Sequence, residues 1–449
     1  MVKWGKALSV LAVAALAASL VGCSGKQADN QPGSAKGTAT PKKEDVKLVF
    51  WNSGYPTIDA NNKNKTREEF YIVQAIKRFE QAHPGVTIEL QDIPSNDQMF
   101  TKFQTASIAK NGPDLTILWS GSYMLKYKQF LEPMDSYFTK EERARIAGWD
   151  AVAEGFKPDG KLYGVPFSTD GIFVLFYNKK ILADAGIDPE KNPAKNVNDF
   201  IAMLQKIKDK GVTPLGLQMP VNFWHIPSFW IAQTLTSAGL DELVQGKRNF
   251  NDPKLAAIMK SWNQLYDKGL TMMDGSNQAR QLFYKGEVAM VLAGNKTITE
   301  ARKALGDNFG MMKVPDYNES VQIHDGGVGG VGNAFVVTNY SKNKKEAVEF
   351  IKFLMSKEEQ INKIKTGEGS LTIVNDINTN DYIDEPLIRT MQDWASKPSA
   401  IFWPDNVFPA ELTSEIASMQ ALVFTGKMSP EEFLDKMDKK RDELLKTKQ

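Results

Sequence analysis

The chain has 449 residues, with 55 lysines and arginines against 54 aspartates and glutamates, 42% hydrophobic residues and one cysteine. A balance this close to neutral argues against a protein built on the nucleic-acid backbone, which calls for a strong basic excess. A single cysteine leaves no disulfide for the monomer, so the fold must rest on its hydrophobic cores.

At the N-terminus, Lys3 and Lys6 precede an uncharged run from Ala7 to Leu20, broken only by Ser9 and Ser19. The run is too short to span a bilayer and has the shape of an export signal over residues 1–22. Without it the chain carries 53 basic and 54 acidic side chains, a formal charge of −1. Leu20-Val21-Gly22-Cys23 closes the run and resembles a bacterial lipoprotein box, in which the cysteine is acylated and becomes the first mature residue. A chance cysteine or a buried thiol is the alternative, since free cysteine packs as a small hydrophobe; the position of Cys23 favours the anchor. Residues 23–45 are expected to form a lipid-anchored flexible linker, because Ser24 to Asp45 supplies Gly, Pro, Ser and Lys and no large apolar side chain. About 400 residues remain, too many for one core, which predicts two domains or lobes.

Short β-rich runs recur through the rest: "KLVFW" (47–51), "VTIEL" (86–90), "LTILW" (115–119), "IFVLFY" (172–177) and "NAFVVT" (333–338). Between them lie helical patterns. Ile72, Ala75, Ile76 and Phe79 form one apolar face, as do Phe200, Met203, Leu204 and Ile207, and again Ala347, Phe350, Ile351 and Leu354. In "SPEEF", Ser429 is placed as an N-cap, Pro430 at the first helical position and Glu432 as the partner closing a capping box. Strand and helix in alternation give an α/β protein, mostly parallel sheets flanked by helices. In such sheets ligands gather beyond the carboxyl ends of the strands.

The residues at the strand ends are therefore informative. Trp51-Asn52 comes after "KLVF" and Trp119-Ser120 after "LTIL". A flat aromatic beside a small polar residue suits a site that stacks an apolar face and hydrogen-bonds its edges, as sugars require. Each tryptophan could equally cap the core where its strand ends; two in the same position favour a site. "NFWHIPSFW" packs Phe223, Trp224, Phe229 and Trp230 beside Asn222 and His225, a mixture expected in a ligand groove, with one of the two tryptophans assigned to the core. His83, His225 and His324 are too far apart in sequence for a zinc motif, so no metal site is expected. "IFWPDN" repeats the theme with Trp403 and Asp405. "DGGVGGVG" (325–332) precedes a strand and does not open a helix, so it fails as a dinucleotide loop and is expected to be a turn or hinge where backbone, Gly329 included, approaches a ligand. No GxSxG, HExxH or Walker loop is present, and no carboxylate spacing singles out a glycosidase pair, so no catalytic residue and no cofactor is expected.

"GPDLTILWSGSYMLKYKQFLEPM" (112–134), "GKLYGVPFSTDGIFVLFYNKKIL" (160–182), "FYKGEVAMVLAGN" (283–295) and "KNKKEAVEFIKFLMSKEEQ" (342–360), with the lipobox before them, resemble the family 1 extracellular solute-binding proteins of ABC importers, the sugar-binding group that includes maltose-binding protein. The resemblance runs with gaps from about Val46 to the C-terminus. It implies a two-lobed periplasmic-binding-protein-like fold with the ligand cleft between lobes. Residues 46–167 plus 315–355 would form the N-terminal lobe and 168–314 plus 356–449 the C-terminal lobe. Crossings would fall near Pro166 to Asp170, Val314-Pro315, and Leu354 to Lys357, where the prolines end the preceding elements. Trp119 and Ser120 occupy the place of a family segment that touches sugar, and Gly294-Asn295 matches a loop with sugar contacts. Asp170 would face the cleft and accept from sugar hydroxyls, or else cap a turn. Lys296-Thr297 stands where maltose-binding protein has a tryptophan, so stacking falls to Trp224, Trp230 or Trp403. The resemblance thus implies a monomeric lipoprotein on the extracytoplasmic face of a bacterial cell membrane, with a sugar or oligosaccharide as ligand and ABC permease transmembrane subunits as partners. The alternatives are a receptor for a peptide or polyamine, a secreted glycoside-active enzyme, and a surface lipoprotein without a ligand.

Overall fold

A computed structural model describes residues 45–58, 65–157, 159–218, 221–274, 278–369, 371–395 and 400–447. The signal segment 1–22, Cys23 and the linker up to residue 44 lie outside the described residues, as do the side chains of Asp170 and Trp224.

Among the described residues, eleven strands form two mixed sheets. The first contains β1 (Val46–Asn52), β2 (Val86–Asp92), β3 (Leu115–Trp119), β4 (Val165–Ile172), β10 (Gly327–Val337) and β11 (Ala400–Phe402). Its order is β11-β10-β3-β1-β2, with β4 also paired to β10. β1 runs parallel to β2 and β3, whereas β10 runs antiparallel to β3 and β4 and parallel to β11. The second sheet has the order β7-β6-β8-β5-β9 and is built from β5 (Val174–Asn178), β6 (Thr213–Gln218), β7 (Thr271–Asp274), β8 (Val288–Ala293) and β9 (Phe309–Met312).

The expected apolar helix faces are buried. Ile72, Ala75, Ile76 and Phe79 lie inward on the Tyr71–Ala82 helix, and the sets on Val197–Lys208 and Lys344–Leu354 do the same. In β5, alternation puts Leu175 and Tyr177 into the main core and Val174 and Phe176 into a second core on the other face, with Phe309 and Met391. Covered on both faces, such strands read as unbroken apolar runs. At the last helix, Ser429 Oγ accepts from Glu432 N at 3.1 Å, while the Glu432 carboxylate lies 3.7 Å from Lys436 Nζ.

Two sequence expectations change. "IFVLFY" is not one strand: Ile172 ends β4 in the first sheet, Val174 begins β5 in the second, and Phe173 is the single residue between them. "DGGVGGVG" is mostly strand rather than turn, because β10 already begins at Gly327. The strand packs closely there: a Cβ on Gly327 would lie 2.4 Å from Ile172 Cδ1 and would force that side chain to move. Gly330, with φ +85°, sits where the β4 register shifts between Gly329 and Val331, as a bulge demands.

The connections between sheets result from this order. Pro166 to Asp170 lies on β4, and Val314-Pro315 lies on the segment that carries the chain from β9 to β10. Leu354 to Lys357 lies between two helices that both pack on the Tyr71–Ala82 helix. Residues 400–402, although within the 356–449 segment, pair with β10 in the first sheet. Among the described residues, no helix is long and apolar enough to cross a membrane.

Candidate functional site

At the β3 and β10 side of the first sheet lies a pocket of about 410 Å³, within the ~300–1,000 Å³ range of small-molecule sites. Its walls come from the end of β3, the β4–β5 joint, β10, the helical run Val221–Val244, the turn after β11 and the helix Ala410–Phe424.

The β3 end is fixed by backbone. Ser120 N donates to Gly332 O at 3.1 Å and Ser120 Oγ donates to Val331 O at 2.5 Å, which ties the end of the strand to β10 just past Trp119. Gly121 then takes φ +71°, and a Cβ there would lie 2.2 Å from Asn406 O. This contact seats the turn Trp403–Asn406 directly against the end of β3. Asn406 Nδ2 completes the join by donating to both Ser120 O and Ser120 Oγ at 3.3 Å.

The aromatic wall is built from both sides of the join. Trp119 meets Tyr123 edge-on with ring centroids 5.1 Å apart, and Phe100 at 5.6 Å. Opposite, Trp403 meets Phe173 at 5.0 Å and His225 at 5.4 Å, and Phe173 meets His225 at 4.9 Å. These packings, mostly edge-to-face, hold each ring in place.

The polar groups of the pocket are incompletely used. His225 is 3% exposed and its Nδ1 has no hydrogen-bond partner; Nε2 stands 3.7 Å from Asp405 Oδ2, beyond hydrogen-bond length. Asp405 Oδ1 and Gln420 Oε1 are also buried and unpartnered. A buried polar atom left unsatisfied costs about 1–3 kcal/mol, and three such atoms belong to residues of this one pocket. Asn333, opposite Trp119 in the β3–β10 register, adds an amide to the same wall.

The residues expected at the site are distributed unevenly. Trp119 and Trp403 come together in this pocket with His225 and Asp405. Ser120 is fully buried beneath it, bonded to Val331 and Asn406. Gly329 lies in β10, opposite Ile172 and Phe402. Trp51 lies elsewhere, 5% exposed under Lys102, whose Nζ sits 3.9 Å over the indole, in an open groove along the Asn96–Ile108 helix. Asn52 shapes the turn after β1: its amide donates to Asp92 Oδ1 at 2.8 Å and Tyr55 O at 3.0 Å, and its Oδ1 accepts from Gly54 N and Tyr55 N. Trp230 is fully buried and donates its indole N–H to Pro315 O. Asn295 begins the Lys296–Leu305 helix at the end of β8. Asp170 lies on β4, and Trp224 lies on the helical run beside His225.

Sequence reasoning missed Phe173, Tyr123 and Gln420. Gln420 had a legible signal: it falls among Leu412, Ile416, Met419 and Val423 on the buried face of an apolar helix, and a lone amide in such a stripe asks for a partner. A second cavity of about 660 Å³, beside Lys313 to Asp316, lacks this property. Of its carboxylates, Asp316 is bonded to His324, Asp325 N and Gln233, Glu190 accepts from Tyr177, and Asp325 pairs with Lys313. Among the described residues no group of three metal-ligating side chains forms.

Two mixed sheets flanked by helices give the two-lobed fold of periplasmic-type binding proteins. The chain belongs to the bacterial extracellular solute-binding protein family, whose model matches residues 74–390. It is 26% identical over 395 residues to a putative binding protein of Brucella abortus, covering 84% of this chain and 90% of that relative. Among solved structures, a chitin oligosaccharide binding protein superposes with TM-score 0.71 at 21% identity, covering 89% of this chain and 98% of the other. The cyclic alpha-maltosyl-1,6-maltose binding protein from Arthrobacter globiformis gives TM-score 0.70 at 18% identity, with 90% and 99% covered.

Proposed function

We propose that the protein is a lipid-anchored receptor on the extracytoplasmic face of a bacterial cell, which captures a sugar or oligosaccharide and delivers it to an ABC-type permease. The observation that carries this reading is the pairing of Trp119 and Trp403 with the unsatisfied polar atoms of His225, Asp405 and Gln420 in one pocket. Indole faces stack on the apolar faces of sugar rings, and buried acceptors meet the hydroxyls at their edges. The names of the similar structures, for chitin oligosaccharide and for a cyclic maltosyl-maltose, favour the same ligand class.

Delivery depends on the pocket's two-sided construction. A solute that touches the β3 end and the Val221–Val244 helix together stabilises the form in which those walls are closest, so the occupied receptor differs in shape from the empty one. Cys23 holds the protein at the membrane by its acyl chains, and residues 24–45 give it reach. The lobes proposed are 46–167 with 315–355 and 168–314 with 356–449, β11 being the strap by which the second reaches the first. In this role the receptor forms no product.

Thermal unfolding of a soluble form beginning at Ser24 tests the reading against a panel of mono- and oligosaccharides, with peptides and polyamines as controls. A ligand at ~1,000 times its dissociation constant stabilises the folded state by about 4 kcal/mol. A shift with one sugar class, and sugar recovered unchanged, supports the receptor. Consumption of the sugar makes the protein an enzyme, and a shift only with a control compound overturns the carbohydrate assignment.

A further inference from the structure

The described lining of the pocket contains one carboxylate, Asp405, and no lysine or arginine. Sugars occur both as neutral molecules and as phosphates or acids, and the pocket's charge decides between them. Asp405 Oδ1 and Gln420 Oε1 are acceptors, and each is buried with no donor facing it. Gln420 lines the pocket, and its Nε2 lies 3.5 Å from Ala417 O. His225 does not neutralise the carboxylate by a direct hydrogen bond, since 3.7 Å separates Nε2 from Asp405 Oδ2.

From this arrangement, and resting on the carbohydrate reading above, we infer that the site selects ligands bearing O–H or N–H donors and no negative charge, with Asp405 as the selecting residue. A hydroxyl or amide N–H satisfies the two acceptors. A phosphate or carboxylate brings further acceptors, leaves Asp405 and Gln420 unpaired, and places like charges together where aromatic walls exclude the water that would screen them. Discrimination then comes from the repulsive partner as much as from the attractive one. An amino sugar, cationic and donor-only at its nitrogen, meets the same requirement.

Calorimetric titration of the Ser24 form tests this with charge-matched sets: glucose, N-acetylglucosamine and their disaccharides, glucosamine, and against them glucose 6-phosphate, N-acetylglucosamine 6-phosphate, glucuronate and digalacturonate. The neutral or cationic member of the binding series is expected to bind at least 100-fold more tightly than its anionic counterpart. Asp405→Asn replaces one acceptor by an amide and removes the charge, and is expected to narrow that ratio to under tenfold. An anionic sugar that binds as tightly as its neutral counterpart overturns the inference and leaves the carbohydrate reading intact. An unchanged ratio in Asp405→Asn removes Asp405 from the selecting role. No binding by any sugar of either charge overturns both readings together. Should Asp405→Asn fail to fold, the wild-type ratio and Gln420→Glu, expected to widen it, decide the matter.

Discussion

His225 Nε2 stands 3.7 Å from Asp405 Oδ2 across the pocket, so the helical run after β6 faces the turn after β11 through two polar groups that approach without bonding. With Gln420 Oε1 also unpartnered, the pocket walls carry unmet hydrogen bonds. Binding capacity here is held at the expense of stability, and the two can be separated by mutation.

Gln420→Met keeps the side chain's length and removes the buried acceptor and its amide. The expected result is a ligand-free protein as stable as wild type or more so by about 1 kcal/mol, with sugar affinity reduced at least tenfold. Melting curves and calorimetry on the same preparation check the two opposite signs.

Trp403 in the pocket is expected to behave differently from Trp51. Trp403, 9% exposed, lines the pocket and is also part of the core, so Trp403→Ala is expected to weaken sugar binding and to cost about 3–5 kcal/mol of stability as well. Trp51→Ala empties a buried site in the first core and costs about 3–5 kcal/mol of stability, while affinity stays unchanged. Titration of both variants with one sugar separates a ligand contact from a packing residue.

Far from the pocket, Arg78 joins the Tyr71–Ala82 helix to Glu359 through two hydrogen bonds of 2.8 and 2.7 Å, with the Glu359 side chain only 2% exposed. Arg78→Ala strands that carboxylate in the core and is expected to cost about 3 kcal/mol, towards the lower end for broken buried pairs because the guanidinium itself reaches solvent. Denaturant titration measures the loss, and ligand affinity should not move.

Much of the scaffold was legible in the sequence. The helix faces at Ile72–Phe79 and Phe200–Ile207 were readable because a 3.6-residue period is local information. The glycine run 325–332 was not, since what makes it strand is its pairing with β4 and β11 and the intrusion of Ile172, none of them sequence neighbours. The site divided the same way. Trp119 and Trp403 stand at strand ends, where the topology rule looks for them, but it is the contacts of Ser120 and Gly121 with Asn406 that bring them to one pocket. Trp51 and Asn52 satisfy the same rule and are placed under Lys102 and in a turn.

Acid should act through Glu385. The Arg302 guanidinium, bonded to both carboxylate oxygens at 2.7 and 2.8 Å, holds its ionisation below the ordinary value of 4.5. A carboxylate depressed in the folded state contributes stability that is present above the unfolded value and is lost as pH falls through the folded one. Wild type should therefore exceed Glu385→Gln by about 1 kcal/mol near neutral pH, and the gap should close as pH falls below the ordinary carboxylate range. Melts of both proteins across that range check the prediction.

In the proposed receptor, solute is held between Trp119 and Trp403 with its donors on Asp405 and Gln420. A crystal structure of the protein with the sugar that raises its melting temperature tests this most directly. It should show a sugar ring against both tryptophans and a hydroxyl or N–H within hydrogen-bond distance of Asp405 Oδ1 and of Gln420 Oε1. A sugar seated instead in the Trp51–Lys102 groove or beside Lys313 to Asp316, with the central pocket unchanged, would contradict it.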